Sequence, residues 1–453
     1  MQGRTAAHSS ATADAGAAIL AQGGSAADAA VAMTLAASVA EPMVVSLLSG
    51  MHAIHGRSDG TVMAVDGFVD VPRTTEGGRT FQTELVFGTE AIPYTVGGAT
   101  FGVPGLVAGC GLLHERDGRM PWSRLVEPAL ELARTGVELT AEDDSLLQLV
   151  EPVMTLNTGR SVFCHEDGSL KQCGDTIRLP DIGPLLEVLA QDGPSSVYTG
   201  EIAAALAEFC AEQGSLVTAA DLRACQAIPH RPPQVSLFGH QAHTRVGLSP
   251  LLDYLDNLAG HPQAKVDVVT LAQVQRPHVT KVTGTTSFAA ADADGNVCAV
   301  TASLGLGTSD WFHGCQLNSM LGERDLLAGP LRPRTRMGSM MAPTVVQSPG
   351  GKLTAVGSAG GSRIPSAMVR VIDGIVRQGL APLPAVELPR LHRAGGVIHI
   401  EPTMPEEDEA RLAAAGFRPN RWSTRHHFFG GVSAAGHDGA AGDSRRGGTQ
   451  RDC

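Results

Sequence analysis

A soluble α+β fold is predicted by three features of the sequence. Helical spacing of apolar residues recurs up to residue 226. Apolar runs joined by short turns, as in antiparallel hairpins, take over after residue 284. The 453 positions are 43% hydrophobic and 18% charged, enough apolar material for one large core or two modest ones. With 34 Lys plus Arg against 46 Asp plus Glu, the formal charge of -12 repels phosphate backbones. Nucleic acid is therefore not an expected partner, and a small-molecule enzyme is. Gly 54 and Pro 27 exceed average usage by roughly half, short of collagen-like or low-complexity chains.

The first residues, MQGRTAAHSS, have no apolar stretch behind a basic start, so no secretory signal is expected and the location reads as cytoplasmic. The most apolar stretch, residues 17–40, is broken by Gln22, Gly23, Gly24 and Asp28 before the roughly 20 residues a membrane span needs. No membrane partner is expected. The cysteines Cys110, Cys164, Cys173, Cys210, Cys225, Cys298, Cys315 and Cys453 lie apart without a CxxC pair, so reduced, buried thiols are expected and a Cys164–Cys173 bridge is left open.

Along the chain, residues 11–39 read as two helices packed through alanines, the first ending at Gly23-Gly24 and the second opening near Ser25 and Asp28. TVMAVDGFVD, 61–70, alternates as a strand entering a turn, and in TVGGATFGVPGLVAGCGLLHERDG, 95–118, glycine-rich turns lead into a helix. MPWSRLVEPALELARTG, 120–136, is helical and stops at Gly136. Three further helices follow between residues 179 and 226, the last with Thr218 as N-cap. Residues 227–284, broken by six prolines, read as a connecting stretch. TTSFAAADADGNVCAVTASL, 285–304, is a hairpin turning at residues 293–296. A second hairpin spans 340–361, and a helix follows it. The tail from Gly430 reads as frayed by composition alone.

Several sites can be weighed on these residues. Gly284-Thr285-Thr286 begins a strand, where threonine is ordinarily only a β-former. Gly357 to Arg363, GSAGGSR, fits no nucleotide-phosphate pattern; its paired glycines could turn backbone N–H groups toward an oxyanion, or simply form a tight turn. Asp292, Asp294 and Asn296 mimic the opening of a calcium loop, but Ser303 stands where its closing Glu belongs. His52 and His55, and His426 and His427, read as ordinary histidines. No metal or cofactor is expected.

Taken together, the blocks resemble the γ-glutamyltranspeptidase family through nearly the whole chain and in the family's order. GGSAADAAVAMTLAASVAEP, 23–42, is similar to its opening GGNAVDAAVA block ending in Glu-Pro. The segment from Val103, with VPG and MPW, is similar to the family segment marked by VPG and LPW, TTSF resembles TTHF, APTVV followed by GSAGGSRI resembles the oxyanion segment, and DSRRGG resembles DPRRGG. The last match implies an ordered tail. The resemblance implies an N-terminal nucleophile hydrolase, a four-layer αββα sandwich cut by itself at Gly284–Thr285. Residues 1–284 and 285–453 would be the two segments of one domain, each the other's partner. Thr285 would be the nucleophile, Ser303 the hydroxyl that hydrogen-bonds it, and Gly360 and Gly361 the oxyanion donors.

The recognition residues depart from the family. Phe68, in DGFVDVP, stands at the position of the family's carboxylate-binding Arg, and Arg73 is out of register. Met320 and Glu323 stand where polar groups for the glutamyl amine are kept, Gly305 replaces the Asn of TLN, and Met340 replaces one Ser of SSM, leaving Ser339. The PPPSSGG segment is not recognisable around residues 246–252. These departures imply acyl-threonine chemistry on a small substrate other than glutathione. By analogy with relatives in the 4-alkyl-proline pathways of lincosamide and pyrrolobenzodiazepine antibiotics, the bond cleaved would be a carbon–carbon or amide bond. True γ-glutamyl transfer and an unprocessed, non-catalytic homologue are the alternatives.

Overall fold

Two antiparallel sheets stacked face to face form the centre of the protein. The structure, a computed structural model, describes residues 2–87, 90–276, 284–323, 326 and 329–453. The first sheet orders its seven strands Thr449–Asp452, Arg4–Ala7, Gly284–Ala291, Val297–Gly305, Gly50–Gly56, Val62–Gly67 and Ile228–His230. The second orders Gly439–Ala441, Gly431–Gly436, Leu353–Ala359, Thr344–Gln347, His240–Thr244 and Gln234–Leu237.

Strand alternation sends successive side chains to opposite faces. Ala289 and Ala291 pack between the sheets with Ala6, Ala299, Ala355 and Ala435, whereas Phe288 and Ala290 join the helix-side core. Small residues at this interface let the two sheets approach closely. The outer face of the first sheet carries helices Ser10–Ala21 and Ala26–Ala40, the second of them buried along its entire length. Ser25 and Asp28 close a capping box at its start, satisfying two otherwise orphaned N–H groups. Helix Trp122–Thr135 packs on it and ends at Gly136, whose φ of 78° favours glycine. Helices Leu251–Ala259, Ile364–Val376 and Pro382–Glu387 belong to a separate core cluster on the second sheet's outer face. The result is the expected αββα sandwich.

Three expectations need correction. Residues 227–284 are not merely connecting: they supply the edge strand Ile228–His230 of one sheet and two strands of the other, then two helices. Pro229 is compatible with this because an edge strand leaves one side of its backbone without a ladder partner. The tail, frayed by composition, is ordered as the resemblance implied, with Asp443 and Arg445 buried and Arg445 paired to Glu401 at 2.6 Å. All eight thiols are free, the 164–173 bridge is not formed, and Cys173 is exposed while Cys164 and Cys453 are only partly covered. Among the described residues no helix is long and apolar enough to cross a membrane.

Candidate active site

The hairpin that carries Thr285 is irregular at that point. Gly284 pairs with Gly305, yet Thr286 pairs with Ala302, so Ser303 and Leu304 together stand opposite Thr285. Such a bulge breaks the ladder and re-aims side chains. Thr285 Oγ1 donates to Ser303 Oγ at 3.4 Å. Ser303 Oγ in turn donates to the Gly284 carbonyl and accepts from the Gly305 N–H at 3.1 Å. One buried hydroxyl therefore touches both the side chain of Thr285 and the carbonyl on the other side of its peptide bond. Arg446 Nη1 holds the Thr285 carbonyl at 3.2 Å.

Gly305 has a φ of 72°, and a Cβ there would lie 2.7 Å from Ser319 Oγ and 2.8 Å from Glu323 Oε1. Glycine meets this backbone conformation without strain, and a larger side chain would require Ser319 and Glu323 to shift. Gly360 and Gly361 form the turn between strand Leu353–Ala359 and the helix that begins at Ile364, with φ of 135° and 57°. The same strand crosses the strand that carries Thr285, since a Cβ on Gly357 would stand 3.3 Å from Ser287 Cβ. Gly360 abuts Gly430, and Gly431 abuts Arg446, so the paired glycines sit at the Thr285 end of the sandwich.

The cleft at Thr285 is lined also by Glu41, His8, His427, Arg363 and Arg446. Thr12 Oγ1 donates to Glu41 Oε1 at 2.6 Å, but burial dominates and pushes the Glu41 carboxyl up to about 7. Burial, reinforced by Arg446, holds His8 down to about 3, and burial does the same to His427. Both are neutral near pH 7. Behind the strand, Thr286 Oγ1 lies 3.4 Å from His8 Nδ1. Among the described residues no three His, Cys, Asp or Glu side chains gather as a metal site. Asp292 is occupied by its own turn, accepting from the N–H groups of Asp294 and Asn296 at 3.0 Å.

Of the residues expected to select substrate, Gly305 pairs with Gly284 beside Thr285, and the others do not line this cleft. Phe68 is 1% exposed, stacks on His52 with ring centroids 5.2 Å apart, and belongs to the core on the second-sheet side; it does not line this cleft. Met320 is buried. Glu323 Oε1 accepts from the Leu306 N–H at 3.2 Å, so its carboxylate caps a loop. Ser339 is buried, its carbonyl held by Arg245 Nη1 at 3.1 Å, and Met340 is partly exposed. Arg73 turns to Asp221 at 3.3 Å on the surface. The sequence reading missed Glu41, His8, Arg363 and Arg446 as cleft residues and treated His427 as ordinary. Glu41 and the two arginines do fall inside the quoted Glu-Pro, GSAGGSRI and DSRRGG blocks, which was the available signal.

Fold and cleft define an enzyme of the N-terminal nucleophile hydrolase class. The sequence pattern named Gamma-glutamyltranspeptidase matches residues 12–247 and 253–451, and the chain belongs to that family. It is 25% identical to the glutathione hydrolase proenzyme of Escherichia coli (strain K12), over 83% of this chain and 78% of that one. It is 26% identical to the Acylase ACY 1 proenzyme of Pseudomonas sp. (strain V22), over 89% and 85%. The fold matches cephalosporin acylase from Bacillus halodurans with a TM-score of 0.84 at 20% identity, covering 99% of this chain and 95% of that one. It matches LmbA2991T421A with a TM-score of 0.81 at 19% identity, covering 99% and 98%.

Proposed function

We propose that the chain cuts itself between Gly284 and Thr285 and then acts through an acyl-Thr285 intermediate on a small substrate other than glutathione. The observation that carries this is the Ser303 hydroxyl, bonded at once to Thr285 Oγ1 and to the Gly284 carbonyl. Attack of Oγ1 on the Gly284 carbonyl carbon gives a tetrahedral adduct whose oxygen Ser303 stabilises. Its collapse breaks the C–N bond to an ester as the proton lost from Oγ1 passes to the leaving nitrogen, and water then hydrolyses the ester, releasing Gly284 as a carboxylate and restoring the Thr285 hydroxyl beside its free amine.

That amine, with a pKa of about 7.7 to 8.0, is partly neutral near pH 7 and can take the proton from its own hydroxyl. The oxygen then bonds to the substrate's carbonyl carbon, and Gly360 and Gly361 N–H groups stabilise the oxyanion. The leaving group departs with the proton, and water or an amine releases the acyl group. Removing one such donor ordinarily costs about 2.7 to 4 kcal/mol. A carbon leaving group, as in 4-alkyl-proline antibiotic pathways, is served by the same steps.

Phe68 in the core and Arg73 on Asp221 speak against glutamyl recognition of the family type. Mass analysis of the purified protein tests the reading: two polypeptides with a new N-terminus at Thr285 are expected, and a single full-length species sinks it. With processed protein, no release of nitroanilide from a γ-glutamyl chromogenic substrate is expected, and ready release favours true glutamyl transfer.

A further inference from the structure

A second cavity, at the end of the sandwich away from Thr285, is lined by guanidinium and imidazole groups that acyl transfer does not involve. In strand Gly50–Gly56, Gly50 pairs with Ser303, the residue bonded to Thr285, whereas Gly56 pairs with Val297. The two ends of that strand are roughly 20 Å apart. The turn after Gly56 reaches across to the second sheet, where a Cβ on Gly60 would stand 3.0 Å from Gln347 Nε2. Gly60 and Gln347 both line a cavity of about 510 Å³, a size that suits a small molecule.

Three arginines reach this cavity from three elements. Arg57 stands in the turn, Arg116 in the last turn of helix Leu106–Asp117, and Arg231 directly after the edge strand Ile228–His230. His55 and His243 line it as well and are only 4% and 8% exposed. Burial, reinforced by Arg231, holds the His243 ring below the usual histidine range, so near pH 7 it is neutral and keeps one N–H to donate. His55 turns Nδ1 toward Asp117 at 3.3 Å, and its Nε2 is buried without a hydrogen-bond partner. Asp117 also accepts from Arg57 Nε at 2.7 Å, and Asp59, at the exposed rim, accepts from the Thr61 N–H at 2.8 Å. Among the described residues Arg57 alone of the three arginines is in an ion pair. Three guanidinium groups against two carboxylates make a positive spot on a chain of formal charge -12. Guanidinium donors are planar and paired, so one fork satisfies a carboxylate; arginines arriving from three sides suit the oxygens of a phosphate, which point in different directions.

We infer that the cavity bounded by Arg57, Arg116 and Arg231 is a binding site for a phosphate group, either as the free ion or on a small phosphomonoester. An occupant ties the turn at 57–61, the end of helix Leu106–Asp117 and residue 231 to one another, so binding stiffens this end of the sandwich. The site is separate from Thr285, and the inference stands whichever bond the enzyme cleaves.

The test is titration calorimetry of the full chain at constant ionic strength with inorganic phosphate, glycerol 3-phosphate and succinate. At least one of the two phosphates should bind with a Kd of about 1 mM or tighter and raise the melting temperature, and succinate should bind at least about 10-fold more weakly. Tighter binding of glycerol 3-phosphate shows that the group arrives on a small molecule; preference for inorganic phosphate shows that it is the free ion. The double variant Arg116→Gln, Arg231→Gln, altered only at exposed side chains, should lose at least about 10-fold in phosphate affinity. Absence of binding by both phosphates, or succinate bound as tightly as they are, overturns the inference. Unchanged affinity in the double variant also overturns it, because phosphate then sits elsewhere, as at the arginines of the Thr285 cleft. If that variant does not fold, hydrogen exchange of the wild-type protein replaces it. Phosphate should slow exchange at residues 57–61, and slowing confined to other segments overturns the site.

Discussion

The end of the sandwich around Thr285 and the region around Phe68 are built in different ways. Near Thr285 a bulge, a bridging hydroxyl and positive-φ glycines leave polar atoms facing one another and a cleft. Near Phe68 the space is filled: an aromatic ring lies against His52 and Met320 is buried. The two regions thus differ in kind, with polar atoms facing a cleft in one and packed apolar side chains in the other.

The sharpest challenge to this contrast is Thr285→Ala. It should leave a single full-length band on a denaturing gel and no acyl-enzyme by mass; scission in that variant means that the active hydroxyl lies elsewhere. Ser303→Ala keeps the nucleophile but removes the group that polarises the Gly284 carbonyl. Scission should slow by about 100- to 1,000-fold, read as the lifetime of the precursor, as for loss of one oxyanion donor. At the filled end, Phe68→Arg should not create glutamyl specificity. It places a charge in a packed core and should destabilise the fold by about 3 kcal/mol in urea unfolding; a stable variant that cleaves γ-glutamyl nitroanilide shows that the space is not filled.

Smaller effects are expected behind the strand that carries Thr285. Glu41 holds its proton to about 7 in the folded protein against an ordinary value of 4.5, so the folded state binds the extra proton between those values. Its contribution is complete below 4.5 and is lost as pH rises toward 7, by up to about 3 kcal/mol. Glu41→Gln should flatten unfolding stability across that window; an unchanged pH profile contradicts the raised carboxyl. Thr286→Ala removes the hydroxyl that contacts His8 at 3.4 Å and hydrogen-bonds the Glu41 carboxyl, and should cost about 1 kcal/mol while leaving scission in place. Loss of scission in Thr286→Ala, with scission kept in Thr285→Ala, shifts the register by one.

The hairpins and helices of the sandwich were legible because their signals are local. Ser25 with Asp28, Gly136 and the turn at residues 293–296 each solve a nearby backbone problem. Residues 227–284 were not, because their short strands gain stability only from neighbours far away in sequence, and their prolines mask the pattern. Thr285, which lines the cleft, lies inside a quoted motif block, and Ser303, which hydrogen-bonds it, stands in the same hairpin. His8 and Arg446 were missed because they are brought together by pairing of the first and last strands, a contact between residues more than 400 positions apart. Phe68 was expected to shape a substrate pocket, yet nothing in its local sequence says that it turns into the core.

The order of strands in the first sheet has a consequence for what happens after scission. Arg4–Ala7 is hydrogen-bonded on one side to Thr449–Asp452 and on the other to Gly284–Ala291, and the second sheet likewise joins Thr344–Gln347 to His240–Thr244. A cut before Thr285 would leave two polypeptides woven through each other, with no plane along which they could part. Neither piece has a complete sheet of its own. Prising them apart would amount to denaturation, and mixing separately made halves should not restore the enzyme unless they fold together.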